Sequence, residues 1–398
     1  MIVDPSEHEP LTTAPFNAST AQAFVREVVR ETDEAFDPTR GWPLHPEDRW
    51  GDETTGYAGL YNGAAGTMWA LTALARSQEL ELRHDYAAAI VQCEERYRRE
   101  STNASMPIVP SYFLGTVGIM LARYVLTGDS TTLDRIAADM RANLGNPTRE
   151  ALWGSPGTAI AALLIRERDD DHRFDDALQA VQDELWETWE PLHADGGLLW
   201  EQDLYGQRRR FVGAGHGAIG NLVPFIGAMD LLSTERRTVL RERIAALLEA
   251  YSLRDGDAAN WYSLGEPRSG VRMQWCHGAP GVIIGLARYP ADDDRIETLL
   301  VQGGNGIWKA GPVRKGPTLC HGTAGNGFAL LRLAERTGDD MWLHRAQRFA
   351  AHAMEQVKAW RTTFGMPSFS VWTGELGVAL HVDAVLRRDP RLLTLDSL

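Results

Sequence analysis

The stretch LCHGTAGNGFALL, Leu319–Leu331, places a Cys-His-Gly triplet and a Gly-x-x-Gly unit directly before an apolar run. WCHGAPGVIIGL, Trp275–Leu286, has the same layout. Five more stretches keep the glycines and the apolar run but lack the cysteine: GLYNGAAGTMWAL (Gly59–Leu71), YFLGTVGIMLA (Tyr112–Ala122), ALWGSPGTAIAAL (Ala151–Leu163), GAGHGAIGNLVPF (Gly213–Phe225) and VWTGELGVALHV (Val371–Val382). A lone Gly-x-x-Gly says little in a chain with 38 glycines. Seven of them, each opening an apolar run, form a repeat whose first glycines are Gly63, Gly115, Gly154, Gly217, Gly278, Gly322 and Gly374.

The runs behind these glycines are apolar on most faces, so they read as enclosed helices. Amphipathic segments such as Ala21–Phe36, His84–Arg99, Phe174–Trp189, Thr234–Tyr251 and Met341–Trp360 alternate with them and suit an outer position. Strand signals are sparse. The expected fold is all-α, a double α-toroid (α/α barrel) of about seven inner and seven outer helices. Residues 1–20 read as an N-terminal extension and 21–398 as a single toroid domain. An open solenoid of helix pairs leaves the uniform apolarity of one helix class unexplained. The glycines are expected to let backbones converge and to adopt unusual φ/ψ. Seven helix N-termini on one face would rim it with free N–H donors.

The formal net charge of −14 is spread along the chain, with no extended basic run, which excludes nucleic acid and anionic membrane as natural partners. There is no run of about 18 apolar residues to span a membrane. The first residues, MIVDPSEHEPLTTAPF, do not read as a signal peptide. Three cysteines do not make a disulfide framework. A reducing, cytoplasmic setting is expected, with thiols free for metal or chemistry.

Cys276 and Cys320 each stand two residues before the first glycine of consecutive repeats. A ring sets them side by side. With His321 they make three ligands and leave one position open, the pattern of catalytic zinc. The thiolates argue against magnesium or calcium. His277 either substitutes for His321 as ligand or stands behind it. Cys93, in AAAIVQCEERY, reads as packing. His216 stands one residue before its glycine, as His277 and His321 do, and suits a general acid or base. Arg272, Lys315 and Glu150 flank the motifs. Near a metal, such charges would bind carboxylates or stabilise an enolate.

With these residues assembled, WCHGAPG, LCHGTAGN and GHGAIGN within seven repeats resemble the LanC superfamily, the lanthionine cyclases and LanC-like proteins, from about Ala21 onward. The resemblance implies a seven-fold double α-toroid with zinc at one end. It puts the ligands on Cys276, Cys320 and His321, the acid/base on His216, and an arginine near the metal on Arg272. Glu150 falls where cyclases carry an aspartate. Glu150, Lys315 and His277 are closer to the LanC-like branch. That branch implies addition of glutathione or a related small thiol to dehydroalanine or dehydrobutyrine in a peptide or protein. Lys315 matches a lysine this branch uses around glutathione. The N-terminal arginine of its eukaryotic members has no counterpart, the first arginine here being Arg26. A lanthionine cyclase acting on a dehydrated precursor peptide and a non-catalytic zinc or thiol scaffold are the alternatives.

Overall fold

The computed structural model describes residues 1–49, 56–103, 107–170, 172–191 and 197–398. The chain runs through α1 (Ala18–Glu34), α2 (Ala64–Ser77), α3 (Tyr86–Ile90), α4 (Cys93–Asn103), α5 (Thr116–Thr127), α6 (Thr131–Ala142), α7 (Ser155–Asp169) and α8 (Asp175–Glu187). It continues through α9 (Ala218–Gly227), α10 (Thr234–Ala250), α11 (Ala279–Gly285), α12 (Asp294–Ala310), α13 (Thr323–Thr337), α14 (Asp340–Phe364) and α15 (Glu375–Arg387). The seven repeat glycines are the N-caps of α2, α5, α7, α9, α11, α13 and α15. Each of these helices packs on the next, and α15 returns to α2, which closes an inner ring. The other helices form the outer layer, with α3 and α4 sharing one position. Residues 155–165 of α7 are buried without a break, as an enclosed helix requires.

The second glycine of every repeat has one job. A Cβ on Gly66, Gly118, Gly157, Gly281, Gly325 or Gly377 would stand 1.9–2.1 Å from the carbonyl oxygen six residues upstream, and on Gly220 2.4 Å. The loop therefore folds back onto the first helical turn, and no side chain fits between. The expectation of unusual φ holds for only two first glycines, Gly217 (φ +125°) and Gly278 (φ +109°). The other five have ordinary extended φ, and close backbone approach alone requires them.

The expected rim of free N–H donors does not form. The first helical amide is taken by the carbonyl seven residues upstream at Ala64 (2.7 Å), Thr116 (3.1 Å), Ala218 (3.0 Å), Thr323 (3.0 Å) and Glu375 (2.8 Å). In the fifth repeat Asn260 stands between the two partners. Its Oδ1 accepts from Ala279 N (2.8 Å) and its Nδ2 donates to Arg272 O (3.1 Å).

Asn260 belongs to an antiparallel meander, absent from the expected fold. With the short pairs β1 (Glu190–Pro191)/β2 (Leu198–Leu199) and β3 (Gln202–Leu204)/β4 (Gln207–Arg209) before it, the meander is β5 (Ser252–Asp255), β6 (Ala258–Gly265) and β7 (Arg268–Val271). The N-terminal segment is bound across the loops before α11 and α13. Glu9 N donates to Pro312 O (3.1 Å), Arg314 N to Glu7 O (2.9 Å) and Asn260 Nδ2 to Ile2 O (2.8 Å). At the other end of the chain, Leu395 and Asp396 line a small interior space with Ile160, Val223, Ile284 and Trp275, and Asp396 pairs with the buried Arg332. Among the described residues no helix is long and apolar enough to cross a membrane.

Candidate metal centre and its acid–base neighbour

The residue two places before each first glycine defines one level of the ring: Tyr61, Phe113, Leu152, Gly215, Cys276, Cys320 and Trp372. Backbone hydrogen bonds hand this level from loop to loop. Gly215 N donates to Cys276 O (3.3 Å), Cys276 N to Cys320 O (3.5 Å), Cys320 N to Trp372 O (2.9 Å), Trp372 N to Tyr61 O (3.1 Å) and Tyr61 N to Phe113 O (2.9 Å). The two thiols are thus neighbours in space, as the matched repeat positions predict. Trp275, Trp372, Phe113 and Tyr61 pack together at the same end of the ring, with Trp275 and Trp372 centroids 4.3 Å apart. This apolar floor keeps the thiols buried.

The donor atoms of Cys276, Cys320 and His321 all lie within 4.8 Å of one another. Cys320 Sγ is 3.5 Å from His321 Nε2. A tetrahedral zinc with two thiolates and an imidazole sets its ligand atoms about 3.5–3.8 Å apart, from bond lengths of about 2.3 and 2.0 Å. The residues therefore fit the group. The two thiols titrate as a pair. A hydrogen bond from Cys320 pushes the Cys276 thiol down, while burial pushes Cys320 up. Tyr61, in the cysteine column of the first repeat, lines the same cavity as Cys320.

His277 is not part of the cluster. Its ring centroid lies 5.8 Å from that of His216 and 5.5 Å from Phe211. Burial holds its pKa below the ordinary imidazole value.

The ring of backbone bonds stops at the third repeat. Among the described residues, Leu152 N has no carbonyl partner in the next loop. Instead the carboxylate of Glu150, fully buried, accepts from Leu152 N (3.0 Å) and Trp153 N (2.6 Å). Its Oε2 also meets His216 Nδ1 at 3.0 Å. That contact fixes the tautomer and leaves Nε2 for other chemistry. Burial works against the His216 imidazolium, but the Glu150 hydrogen bond and charge outweigh it and raise the pKa.

A cavity of about 250 Å³ joins these parts, lined by His216, Cys320, His321, Lys315, Tyr61 and Asp48 among others. Lys315 is brought to the cluster, and its charge is felt at Cys320. Arg272 is not among the lining residues: it is half-exposed and paired with Glu7. Cys93 is buried, as a packing residue would be. Sequence reasoning missed Tyr61, Asp48 and Asn260. Tyr61 carried a signal, its place in the cysteine column. Asp48, from an unrepeated loop, carried none.

A closed α/α toroid with two thiols and an imidazole converging on one cavity defines a class of fold and site. The comparisons narrow it. The family model described as lanthionine synthetase C-like protein matches residues 55–395, and the chain belongs to this family. It is 26% identical over 250 residues to a zebrafish (Danio rerio) protein named glutathione S-transferase LANCL1, covering 60% of this chain and 59% of that protein. It is 39% identical over 94 residues to the Arabidopsis thaliana LanC-like protein GCL1, 23% of this chain and 21% of that protein. The match therefore spans about three-fifths of the first relative and a fifth of the second. Nisin cyclase shares the fold, with a TM-score of 0.57 and 14% identity, over 93% of this chain and 99% of that structure.

Proposed function

We propose that the protein forms C–S bonds, adding a small thiol such as glutathione to dehydroalanine or dehydrobutyrine in a peptide or protein. The observation that carries this reading is one cavity shared by the Cys320/His321 end of the metal cluster and by the Glu150-held His216. The name of the zebrafish relative supports glutathione as the thiol.

Cys276, Cys320 and His321 would hold zinc, which when bound would supply a Lewis acid that lets a thiol give up its proton to solvent near neutral pH. The buried aromatic floor and Tyr61 keep water from the cysteines. Addition of the thiolate to the β-carbon forms the C–S bond and pushes an electron pair onto the carbonyl side of the acceptor. Lys315 is the cation assigned to that developing negative charge. His216, charged with the help of Glu150, gives its proton to the α-carbon and completes the thioether. Arg272, tied to Glu7 outside the cavity wall, anchors the N-terminal segment in this reading.

Mass spectrometry of a dehydroalanine peptide incubated with glutathione and zinc-loaded protein tests the proposal. The expected product is the peptide plus one glutathione, at a rate far above the uncatalysed addition. Equal rates with and without protein would leave the zinc scaffold as the better reading. A cyclised product from a peptide carrying its own cysteine, formed in preference to the glutathione adduct, would favour the cyclase.

A further inference from the structure

The acid–base side of the cavity carries an aromatic ring that the reaction above does not use. Tyr205 lines the cavity together with His216, Leu152 and Leu114. It is 72% exposed, and among the described residues no other Phe, Tyr or Trp is as exposed. Tyr205 and Gly206 form the two-residue turn between β3 and β4, closed by the pair Leu204 and Gln207. Both turn residues have positive φ, +53° and +74°. Such a turn favours Asn, Asp or Gly at its first position, and a bulky side chain is out of place there. The turn itself therefore gives no reason for a tyrosine.

The ring is nevertheless held in place. Trp153 Nε1 donates to the Tyr205 hydroxyl at 3.1 Å, and the two rings meet edge-on with centroids 6.4 Å apart. The hairpin behind it is tied to the loop that carries Glu150. Asp203 N donates to Pro147 O (2.8 Å), and the buried Gln202 donates to Arg149 O (3.3 Å) while accepting from Phe211 N (2.9 Å). An exposed ring fixed in this way is pre-organised for contact. The cavity, at about 250 Å³, is smaller than the roughly 300 Å³ at which pockets for drug-sized ligands begin. A dehydroamino acid in reach of His216 fills it together with the thiol. The neighbouring residues of the acceptor chain must then lie on the rim, where Tyr205 stands.

We propose that Tyr205 is a specificity-determining residue, whose ring receives an apolar side chain next to the reacting position, so that the preferred acceptor is a peptide or protein segment with a large apolar residue flanking its dehydroamino acid. This rests on the thiol-addition reading. A tyrosine ring offers apolar area at small entropic cost and keeps its hydroxyl solvated or bonded, which suits a contact that forms and breaks at each turnover. Leu114 and Leu152 extend the same apolar surface into the cavity.

The test is fluorescence anisotropy with zinc-loaded protein, wild type and two variants, Tyr205→Phe and Tyr205→Asn. The probes are labelled peptides with alanine at the reacting position, so that no bond forms. Leucine, phenylalanine, serine or aspartate flanks that alanine on both sides. Wild type is expected to bind the leucine and phenylalanine peptides about tenfold tighter than the serine peptide. Tyr205→Phe keeps the ring and should keep the preference. Tyr205→Asn suits the turn and should fold, as the thermal midpoint reports, while the preference drops to about threefold or less. Wild type that binds all four peptides alike, or none of them, overturns the assignment, as does an Asn variant that keeps the preference. Tightest binding of the aspartate peptide would move recognition to Arg208 and Arg209 on β4. Equal losses in the Phe and Asn variants would reduce Tyr205 to a hydrogen-bond partner of Trp153. Binding is read without turnover, so a protein that shows the apolar preference yet makes no thioether sinks the proposed reaction and leaves Tyr205 standing.

Discussion

The rim of the ring is built in two ways. From Gly215 through Cys276, Cys320, Trp372 and Tyr61 to Phe113, backbone hydrogen bonds pass each loop to the next. At Leu152 that chain of bonds ends, and a carboxylate, Glu150, takes up the amides and the His216 ring. The Cys276, Cys320 and His321 cluster lies on the first arc and the Glu150–His216 pair on the second. A metal centre needs donor atoms held at fixed separations, which a backbone ladder provides without side-chain freedom. A proton carrier needs an adjustable charge beside it, which a peptide carbonyl cannot supply and a buried carboxylate can.

The largest effect that separates the arcs is expected at Cys320. Cys320→Ala removes a ligand but leaves the backbone ladder intact. Bound zinc, measured by elemental analysis, should fall to background together with thioether formation, while the fold stays. Full metal content with normal turnover would break the comparison, because the backbone arc would then carry no metal.

Glu150 should behave in the opposite way, with both fold and chemistry failing together. Glu150→Ala leaves two buried amides without an acceptor, at roughly 1–3 kcal/mol for each unsatisfied group. Metal content should persist in whatever protein folds. Glu150→Gln keeps one acceptor oxygen, turns the other into an NH2 donor and removes the charge. It should lose less stability and still slow the addition, by about 10²-fold if proton delivery by His216 limits the rate. A Glu150→Gln protein with unchanged kcat would make the carboxylate purely structural.

Much of this was legible in the sequence because the fold is a repeat. The glycine spacing predicted each inner helix start, and the matched Cys-His-Gly triplets predicted the adjacency of the thiols. The repeat says nothing about what interrupts it. The meander β5–β7 is announced only by the turn at Asp255–Asp257, where Gly256 takes φ +62°. Asp48 lies on a loop without a counterpart in the other repeats. His216 and Glu150 were both seen, but their contact spans 66 residues, and no spacing rule reaches that far. Arg272 shows the converse limit, for its closeness to Cys276 in sequence does not bring its guanidinium to the cavity.

Asn260 offers a way to sharpen the comparison within the metal arc itself. It replaces, with a side-chain amide, the direct bond that other repeats make between the loop and the first helical turn, next to Cys276. Asn260→Ala should cost about 1–3 kcal/mol for each of the groups it strands, Ala279 N and Arg272 O. It should also weaken metal binding by about 10- to 100-fold, as removal of an outer support does. Competition with a chelator of known affinity measures the second effect. Lost stability with unchanged metal affinity would show that the ladder alone sets the cluster.

The smallest effect tests whether a histidine away from both arcs responds to pH as a packing residue should. His381, on α15, is fully buried against Phe328, with ring centroids 5.3 Å apart, and burial lowers its pKa to about 3. In the unfolded chain the same group titrates near 6.5. Between those values the unfolded chain binds a proton that the folded chain refuses. Stability therefore falls as pH drops from about 6.5 towards 3 and is unaffected by this group above that window. His381→Leu conserves apolar volume and should cost less than about 1.5 kcal/mol at pH 7. It should flatten the acid side of the thermal-midpoint profile, read in parallel with wild type from pH 7 down to 4. A variant with an unchanged acid slope would assign that slope to other buried groups, His45 first among them, since burial lowers its pKa to about 4.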